Sequence, residues 1–467
     1  MARRKSFVPA SFLHDPTDTK SKDHSLTPFI GSTRFYEKSI GTLYGCAFNP
    51  FVSKNENPIA AAVGSNYIKT YSFPRYQPEI LNIASIQLDN NDSLYTVTWC
   101  YDDREDSENP HKIVTGGESG VIYVIDAATS RLDLQLVGHM DGVNDIRTSP
   151  KNPALIATAS KDATVRIFHI RAETCLLILG GHQAHLDSVI SVDWSHDASM
   201  LFSCGHDHRV VAWDLTQKPV ESHLRECMRV VKRIAKLAFV RAYETEMQRE
   251  LEKLYNIDGH SLIFCRPSHV ITNVHYGTVD CVRTIQLNNQ IYILSRSCGG
   301  DNQISLWRLG KTDRSETAVK EGFQTDHFLI SKKKLTDADI WFGKFEMEPN
   351  QKRWLCTIGD KGTVHFYDMR NQINDEPLVF LCIYASECLR TQTLFLIDAQ
   401  SYKVFIKFYS RFMTIKANPK GVMTRQVAFS PNGRIVFAVG DGGFACRIDR
   451  MPASGPSVPK DIWKPIK

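Results

Sequence analysis

One pattern of apolar and polar residues recurs along the chain. A pair of small residues precedes a tight turn rich in Gly, Asp and Asn. Alternating apolar residues then run to an aromatic residue, as in "CGHDHRVVAWDL" from Cys204. Strict alternation is typical of β-strands, and Gly, Asp and Asn are typical of the turns between them, so the pattern predicts β-hairpins. Its seven copies begin at Val63, Thr115, Ala159, Cys204, Ser297, Ile358 and Val439.

The spacing of the copies predicts the fold class. Copies lie 44 residues apart from Thr115 to Ala159 and 45 apart from Ala159 to Cys204. A period of about 40–45 residues is that of WD repeats, each of which forms one four-stranded blade of a β-propeller. The dipeptides Gly138–His139 and Trp213–Asp214 match the signature of these repeats. The sequence therefore predicts an all-β protein with a single seven-bladed WD-repeat propeller, closed by an N-terminal strand at about 33–40.

Two long intervals between copies predict insertions. The first, at about 216–277, has apolar residues at helical spacing and many Lys and Arg residues, which predicts a helical insertion between blades four and five. A surface helix on the flank of the propeller is favoured there over a nucleic-acid-binding element. The second insertion, at about 370–420, is rich in apparent strands. The propeller is expected over 33–452, between a basic, flexible N-terminal segment (1–32) and a C-terminal tail (453–467).

Composition limits the class of protein further. The 467 residues carry a net charge of +5, from 56 basic and 51 acidic residues, which is too small to indicate nucleic-acid binding. Neither a run of 18 apolar residues nor an apolar signal-peptide region occurs, so we expect no membrane partner and no secretion. The 12 cysteines are scattered without a C-x-x-C motif, which indicates reduced, buried thiols in a cytosolic or nuclear protein.

The innermost strands of the seven units can be placed in one register, and their second residues share one position. In a propeller, such equivalent positions lie on one circle near one end of the central channel. Three of the seven residues at this position are aromatic, namely Tyr44, Tyr95 and Trp341, and Phe342 follows directly after Trp341. We therefore expect four aromatic side chains to lie close together at this end of the channel. Aromatic faces around a hole form a cage for a cation that keeps its charge, such as methyl-lysine or choline. The alternative is that the rings only fill the channel. The second residues are Tyr44, Tyr95, Asn144, Ile190, Asp280, Trp341 and Arg425.

The sequence contains no motif of a catalytic site. It has no phosphate-binding loop, no G-x-S-x-G and no H-E-x-x-H. His206 and His208 flank Asp207 in a turn, but no further metal ligand is evident. We therefore expect no enzymatic activity, no bound metal and no cofactor. Four residues resemble a hydrolytic set, but we favour structural hydrogen bonding for them: His139, His185, Ser160 and Asp162.

Several motifs in combination resemble one known family. They extend from about residue 40 to 450 and include "ATASKDATVRIFHI", "LGGHQAHLDSVISVDW", "FSCGHDHRVVAWDL", "VDCVR", "SRSC", "DADIWFGKF" and "TRQVAFS". Together they resemble the Extra sex combs / embryonic ectoderm development family, the WD-repeat subunit of Polycomb repressive complex 2. The divergence between motifs is similar to that of the maternal-effect-sterile branch, which represses chromatin in the germ line.

The resemblance implies a ligand and a set of site residues. The family binds trimethyl-lysine of the histone H3 tail in an aromatic cage, and the matching positions here are Tyr44, Tyr95, Trp341 and Phe342. The family usually has Phe at the position of Tyr44 and Tyr at that of Phe342, and either exchange keeps an aromatic face. Polar residues of the family that would orient the peptide are matched by Asn144, Asp280 and Arg425.

The resemblance also implies partners and a location. The family binds a helix of an Enhancer of zeste-type SET-domain methyltransferase and assembles with other Polycomb repressive complex subunits on chromatin in the nucleus. It implies a non-catalytic core subunit that supports methyltransferase activity and transcriptional repression. The alternative is a WD-repeat scaffold that assembles a chromatin complex without reading methyl-lysine.

Overall fold

A computed structural model describes residues 29–450 except 54, 90, 103–108, 173–174, 240–248, 250–261, 288–289, 311–326, 336–340, 360, 370–412 and 418–420. The described residues form seven mainly antiparallel sheets, which are the seven predicted blades. No helix in these ranges is long and apolar enough to cross a membrane. The C-terminal tail, residues 1–28 and most of the second predicted insertion lie outside the described residues.

The strands follow the chain blade by blade, except that the first strand, β1 (Phe29–Tyr36), belongs to the last blade. Blades one to three contain β2 (Gly45–Phe48), β3 (Ile59–Gly64), β4 (Tyr67–Ser72), β5 (Leu81–Gln87), β6 (Leu94–Tyr101), β7 (His111–Gly117), β8 (Ile122–Asp126), β9 (Leu132–Leu136), β10 (Val143–Thr148), β11 (Leu155–Ser160), β12 (Val165–His169) and β13 (Cys175–Leu179). Blade four and its insertion contain β14 (Val189–Trp194), β15 (Met200–Gly205), β16 (Val210–Asp214), α1 (Lys218–Phe239), β17 (Leu262–Phe264) and β18 (His269–Ile271). Blades five to seven contain β19 (Thr278–Leu287), β20 (Gln290–Cys298), β21 (Gln303–Leu309), β22 (His327–Lys334), β23 (Glu346–Met347), β24 (Trp354–Ile358), β25 (Thr363–Asp368), β26 (Met413–Lys416), β27 (Thr424–Phe429), β28 (Ile435–Gly440) and β29 (Phe444–Arg450).

The N-terminal strand closes the ring. β1 pairs antiparallel with β29 and is the outermost strand of blade seven. It begins four residues earlier than the predicted range of 33–40, at Phe29. The ring of Phe29 is buried between blades, stacked on Phe366 at 4.0 Å and edge-on to Trp354 at 5.3 Å. This aromatic contact fixes the start of the strand, which the Gly, Ser, Thr and Arg residues at 31–34 did not reveal.

The tight turns between the second and third strands of the blades carry the recurring Gly, Asp and Asn residues. Each turn contains a residue with a positive φ, a conformation that Gly adopts without steric cost and that Asn tolerates better than most residues. In four blades a residue other than glycine adopts this positive φ, so the amino acid at this turn position differs from repeat to repeat. The positive-φ turn residues are Ser65, Gly120, Ala163, His208, Gly299, Asn302, Gly362, Gly442 and Gly443.

The core of the protein lies between the blades. The middle strands are apolar on both faces, as in β28, where all six residues of "IVFAVG" are buried. A strand covered on both faces has no polar side to expose, and so its sequence reads as a continuous apolar run. Every pair of neighbouring blades shares one apolar cluster, including blades seven and one. Within the described ranges, ten cysteines are free thiols, and all but Cys265 are buried, as predicted.

The first insertion forms a helix on the flank of the propeller. α1 leaves after β16 and packs Cys227, Val230 and Val231 against blade three, while Arg225 and Arg229 lie on its exposed side. The chain then adds β17 as a parallel fifth strand beside β13 and returns to blade four as its outer strand, β18. The predicted range of 216–277 therefore includes one strand of the propeller itself. In the same way, the range of 370–420 includes β26, the outer strand of blade six.

Buried histidines connect the strands within three blades. In blade four, Ser203 Oγ lies 2.8 Å from His185 Nε2 and accepts from Trp213 Nε1 at 3.0 Å. The other ring nitrogen, Nδ1, lies 3.0 Å from Asp207. Two of these residues were considered as parts of a hydrolytic set or a metal site, and the structure places them in a structural network. Blade five repeats the arrangement with His275, Ser295, Trp307 and Asp301, and blade three has His139, Thr158 and Asp162.

Ser160, Asp162 and His206, also named as candidates for hydrolytic or metal chemistry, make hydrogen-bond contacts within the propeller. The hydroxyl of Ser160 donates to the carbonyl of Asp141 at 3.0 Å and accepts from the N–H of Asp162. His206 Nδ1 lies 3.2 Å from the hydroxyl of Thr278. Among the described residues, no three His, Cys, Asp or Glu side chains converge as metal ligands would.

These networks predict a pH dependence of folding stability. Burial lowers the pKa of His139 and of His275, although the neighbouring carboxylates oppose this shift. A histidine with a lowered pKa in the folded state binds fewer protons there than in the unfolded chain, whose histidines have a pKa of about 6.5. Its contribution to stability is therefore lost as the pH falls below about 6.5.

The test compares wild type with His275→Gln. The free energy of unfolding of wild type, relative to that of the variant, should fall by up to about 0.8 kcal/mol between pH 7.5 and 6. Burial raises the pKa of Asp193 and of Asp280 to about 6, which has the opposite effect at low pH, but both groups are present in both proteins and cancel. Denaturant unfolding at several pH values provides the measurement. If the difference in free energy of unfolding between wild type and His275→Gln does not change with pH, His275 is not buried in its neutral form.

Charged side chains of the inner strands meet across the central channel. The carboxylate of Asp145 in blade three lies 2.8 Å from Lys344 Nζ in blade six, and both side chains are buried. Glu346 of blade six lies 3.3 Å from Arg147 of blade three and 3.4 Å from Arg283 of blade five. Non-adjacent blades are thus joined by ion pairs in a poorly hydrated environment.

Candidate functional site

The channel-mouth positions predicted from the repeat are bulge residues in five blades. On β6, Leu94 pairs with Gly117 and Thr96 with Gly116, so Tyr95 between them has no partner on β7. A bulge redirects the side chain of its extra residue away from the regular alternation of the strand. This is why these side chains leave the packed layers between blades. The equivalent bulges in blades three, four, five and seven lie at Asn144, Ile190, Asp280 and Arg425.

Blade six departs from the predicted register by two residues. Lys344 forms an isolated β-bridge with Gln426 of blade seven and an ion pair with Asp145 of blade three. Gln426 and Asp145 each come directly after the bulge residue of their own blade, so Lys344 is taken as the residue that follows the equivalent position in blade six. By this register Gly343, and not Trp341, occupies the channel-mouth position of blade six. Trp341 and Phe342 precede that position and reach the same end of the channel from the segment before the strand.

Four aromatic rings from three blades meet at this end of the channel. The centroids of Tyr44 and Tyr95 are 5.4 Å apart, and Phe342 lies 6.4 Å from the first ring and 5.9 Å from the second. Trp341 lies 5.9 Å from Phe342. Interplanar angles of 70–85° make all four contacts edge-to-face. The predicted cage residues therefore form one contiguous aromatic cluster.

The adjacent rings of Trp341 and Phe342 have different environments. Phe342 is buried, with 7% of its surface exposed, and forms the inner part of the cluster. Trp341 is 58% exposed and lies beside the ring of His206 at 5.7 Å. The cluster thus has a fixed inner ring and an accessible outer ring.

Cationic groups of the protein already lie near three of the rings. Lys161 Nζ is 5.2 Å from the centroid of Tyr95, Lys344 Nζ is 5.3 Å from Phe342, and Arg425 is 5.9 Å from Tyr44. Each lies within the range of cation–π attraction, about 6 Å. Each is also paired with a carboxylate, respectively Glu118, Asp145 and Asp441. The mouth therefore carries little unbalanced positive charge that would repel a cationic ligand.

Phe342 has an unusual backbone conformation. Its φ is +65°, in the left-handed region that is rare for bulky residues. Such a conformation costs on the order of 1–3 kcal/mol and persists only where the surroundings enforce it. Strain of this kind concentrates at functional sites. The direction of the Phe342 ring is thus set by the structure around it and not by local preference.

Asp280 was predicted to contact a peptide, and the structure corrects this. Its side chain is fully buried in an ion pair with Arg296, and it accepts a hydrogen bond from the N–H of Gly343 at 3.0 Å. Burial raises the pKa of Asp280 to about 6, although the Arg296 guanidinium opposes the shift. The residue lies below the aromatic cluster and supports it from blade five.

The prediction for Asn144 needs the same correction. Its side-chain amide is buried and donates to the carbonyl of Val189 at 2.8 Å and to the hydroxyl of Ser188 at 3.2 Å. It joins blade three to blade four and does not face the solvent. Arg425 does lie at the mouth, partly exposed, but Nε and Nη2 of its guanidinium donate to Asp441, at 2.7 and 2.9 Å. A ligand could contact Arg425 only through the parts of the side chain that do not bond Asp441.

Three residues of the site were missed by the repeat register. Glu118 accepts the hydroxyl hydrogen bond of Tyr95 and pairs with Lys161, and both are turn residues outside the inner strands. Arg296, on β20, supports the site from below. The only sequence signal for Arg296 was its place in the "SRSC" motif.

The fold and the repeat define the class of the protein as a WD-repeat β-propeller. The family described as WD domain, G-beta repeat matches residues 131–169 and 173–214. Polycomb protein mes-6 of Caenorhabditis elegans is 31% identical over 474 residues, which cover 94% of this chain and 95% of that protein. Polycomb protein esc of Drosophila melanogaster is 26% identical over 354 residues, or 74% of this chain and 75% of that protein. The chain belongs to the Extra sex combs family of Polycomb WD-repeat proteins.

The same fold occurs in solved Polycomb assemblies. A chain in the crystal structure of the Chaetomium thermophilum polycomb repressive complex 2 superposes with a TM-score of 0.67 at 19% identity, covering 93% of this chain and all of that one. A second structure of that complex contains H3K27me3 and H3K27M, and its matching chain gives a TM-score of 0.66 at 19% identity, covering 91% of this chain and 98% of that one. At this identity the likeness is one of fold.

Proposed function

We propose that the protein reads trimethyl-lysine on the histone H3 tail as a non-catalytic core subunit of a Polycomb-type methyltransferase complex. The observation that carries the proposal is the contiguous cluster of Tyr44, Tyr95, Trp341 and Phe342 at one end of the channel. A trimethylammonium group cannot lose its charge and has no N–H to donate, so aromatic faces are its natural ligands in proteins. Four rings from three blades suit such a guest better than they suit a neutral one.

The structure suggests how the cage would accept its ligand. The three inner rings contact one another, so a trimethylammonium group needs a space that they open by rotation. Tyr44 and Tyr95 are only half-buried, and Tyr95 would turn by giving up its hydrogen bond to Glu118, whereas Phe342 is buried and fixed by its backbone. Trp341 then supplies an outer wall from the exposed side. The expected affinity is micromolar, about −6 to −8 kcal/mol, because a few cation–π contacts of ~2 kcal/mol are offset by ordering a flexible tail.

Membership of the Polycomb family supports the proposed partners. We infer that an Enhancer of zeste-type SET-domain methyltransferase and the other subunits of the repressive complex bind this propeller, on chromatin in the nucleus. The protein would support methylation and repression without catalysing a reaction. The residues that resembled a hydrolytic set hold strands together, which supports this assignment. Germline silencing, as in the maternal-effect-sterile branch, is part of the same proposal.

A peptide titration tests the reading function. An H3 peptide with trimethyl-lysine should bind at least tenfold more tightly than the same unmodified peptide, as measured by isothermal titration calorimetry. A third peptide, with the neutral tert-butyl isostere of trimethyl-lysine, keeps the shape and removes the charge, and it should bind more weakly than the charged form. Equal binding of the isostere would show a merely hydrophobic pocket.

The same titration separates this proposal from the scaffold alternative. A scaffold that assembles the complex without reading a tail should bind the methylated and unmodified peptides equally, or not at all. Association with a methyltransferase is expected in both cases and does not distinguish them.

A further inference from the structure

The backbone next to the buried cage ring is held by an ion pair from the neighbouring blade. Asp280 is the bulge residue of β19, and Arg296 on β20 pairs with Cys281, directly after that bulge. The two side chains form a fully buried ion pair. Both also bond the main chain of Gly343, which belongs to blade six. Blade five thus reaches across the blade boundary to the segment that carries the aromatic pair.

The ion pair satisfies both polar groups of a single peptide residue. The carboxylate of Asp280 accepts from the N–H of Gly343 at 3.0 Å, and Nη1 of Arg296 donates to the carbonyl of the same residue at 2.8 Å. Hydrogen bonds with one charged partner are about twice as strong as neutral ones. With its N–H and its C=O both fixed, Gly343 cannot turn without breaking a charge-assisted bond in a buried site.

Only glycine fits between these groups. A Cβ atom at position 343 would lie 2.4 Å from Nη1 of Arg296 and 2.9 Å from Cδ1 of Ile358. The guanidinium is itself held by Asp280, so it cannot move aside without giving up the ion pair. The absence of a side chain at Gly343 is therefore what allows Arg296 to reach the backbone.

We propose that Asp280 and Arg296 are positioning residues of the aromatic cage, which act through Gly343 to hold Phe342 in its left-handed conformation. At a φ of +65°, the ring of Phe342 points into the contacts with Tyr44 and Tyr95. Without the two hydrogen bonds at Gly343, Phe342 would relax to an ordinary negative φ, and the ring of Phe342 would leave the aromatic cluster. The ligand in this inference is that of the proposed function, but the positioning itself can be measured without any ligand.

The experiment uses the full chain with Arg296→Gln, which removes the charge, and Arg296→Lys, which retains it. The control is Asp449→Asn, since Arg447 and Asp449 form a similarly buried ion pair in blade seven, 2.9 Å apart, that does not touch the aromatic cluster. Each protein is labelled with 5-fluorotryptophan, and the Trp341 signal in the ¹⁹F spectrum is assigned from its loss in Trp341→Phe. Affinities for trimethylated and unmodified H3 peptides are then titrated.

We expect Arg296→Gln to shift the Trp341 resonance and to weaken binding of the trimethylated peptide at least tenfold, with no change for the unmodified peptide. Arg296→Lys should retain part of that affinity, and Asp449→Asn should leave both the resonance and the affinity as in wild type. Should Arg296→Gln fail to fold, Gly343→Ala gives the same readout, because its Cβ displaces the guanidinium.

The outcomes distinguish this inference from the proposed function. An unchanged Trp341 resonance in a folded Arg296→Gln or Gly343→Ala protein would overturn the positioning role. An equal shift in Asp449→Asn would also overturn it, since any buried ion pair would then have the same effect. If wild type does not discriminate the methylated peptide, the proposed function fails, and the resonance shift alone decides whether Asp280 and Arg296 position the rings.

Discussion

Replacing Trp341 by alanine should weaken binding of a trimethylated H3 peptide at least tenfold, which corresponds to about 1.4 kcal/mol. Indole is the best cation–π face among the natural side chains, and Trp341 is the most accessible ring of the cluster. Because 58% of its surface is exposed, its removal should change the free energy of unfolding little. Calorimetric titration and denaturant unfolding of the same samples measure the two quantities.

A matched control comes from another exposed ring. Tyr76 is 86% exposed and lies between β4 and β5, the two outer strands of blade one, so Tyr76→Ala should leave peptide affinity unchanged. Trp341→Phe keeps an aromatic face and should lose less affinity than Trp341→Ala. Unchanged binding by a folded Trp341→Ala protein would place the methyl-lysine site elsewhere.

Replacing Asp145 by alanine should destabilise the fold by about 3–5 kcal/mol, the cost expected when one partner of a buried ion pair is removed. The carboxylate lies 2.8 Å from Lys344 Nζ and accepts from Ser191 Oγ at 2.7 Å, so it joins blades three, four and six. Without it, the ammonium of Lys344 stays buried with its charge uncompensated. Chemical denaturation followed by circular dichroism gives the free energy of unfolding.

A second variant tests whether the uncompensated charge of Lys344 causes the stability loss of Asp145→Ala. The double variant Asp145→Ala/Lys344→Met removes the stranded charge and should recover part of the stability lost in the single variant. Glu221→Ala breaks a helix ion pair in which both side chains are about half exposed, and it should cost less than about 1 kcal/mol. A double variant no more stable than Asp145→Ala would show that charge burial is not the cause.

The repeat pattern was sufficient to predict the fold because every blade has the same two features, a tight hairpin turn and an apolar strand that must be covered on both faces. Seven hairpin turns and seven apolar runs covered on both faces leave few alternatives to a closed ring. The short outer strands were not visible in the sequence. β17 and β18 have three residues each, too few for alternation to appear, and both follow the helix that interrupts blade four. They form because an existing strand edge is available beside them.

The site was predictable in its composition but not in its geometry. The four aromatic residues come together as expected, although the register of blade six was displaced by two residues. That displacement has a physical reason, since Gly343 stands at the bulge position and has no side chain to signal it. Asp280 and Asn144 appeared as mouth residues because a repeat register gives position and not direction. Whether a bulge side chain faces solvent depends on partners such as Arg296, which lies 16 residues away from Asp280.

Closure by β1 has a consequence for biosynthesis. The hydroxyl of Ser32 in this first strand bonds the carbonyl of Arg447, 415 residues further along the chain. At about 5–20 residues per second, a ribosome needs roughly 20 to 80 s to make the intervening polypeptide. During that time the first strand is without its partner, and the edge of blade one that faces blade seven has no neighbour. Molecular chaperones that shield such edges on nascent chains are therefore expected to matter more for this protein than for one built from local contacts.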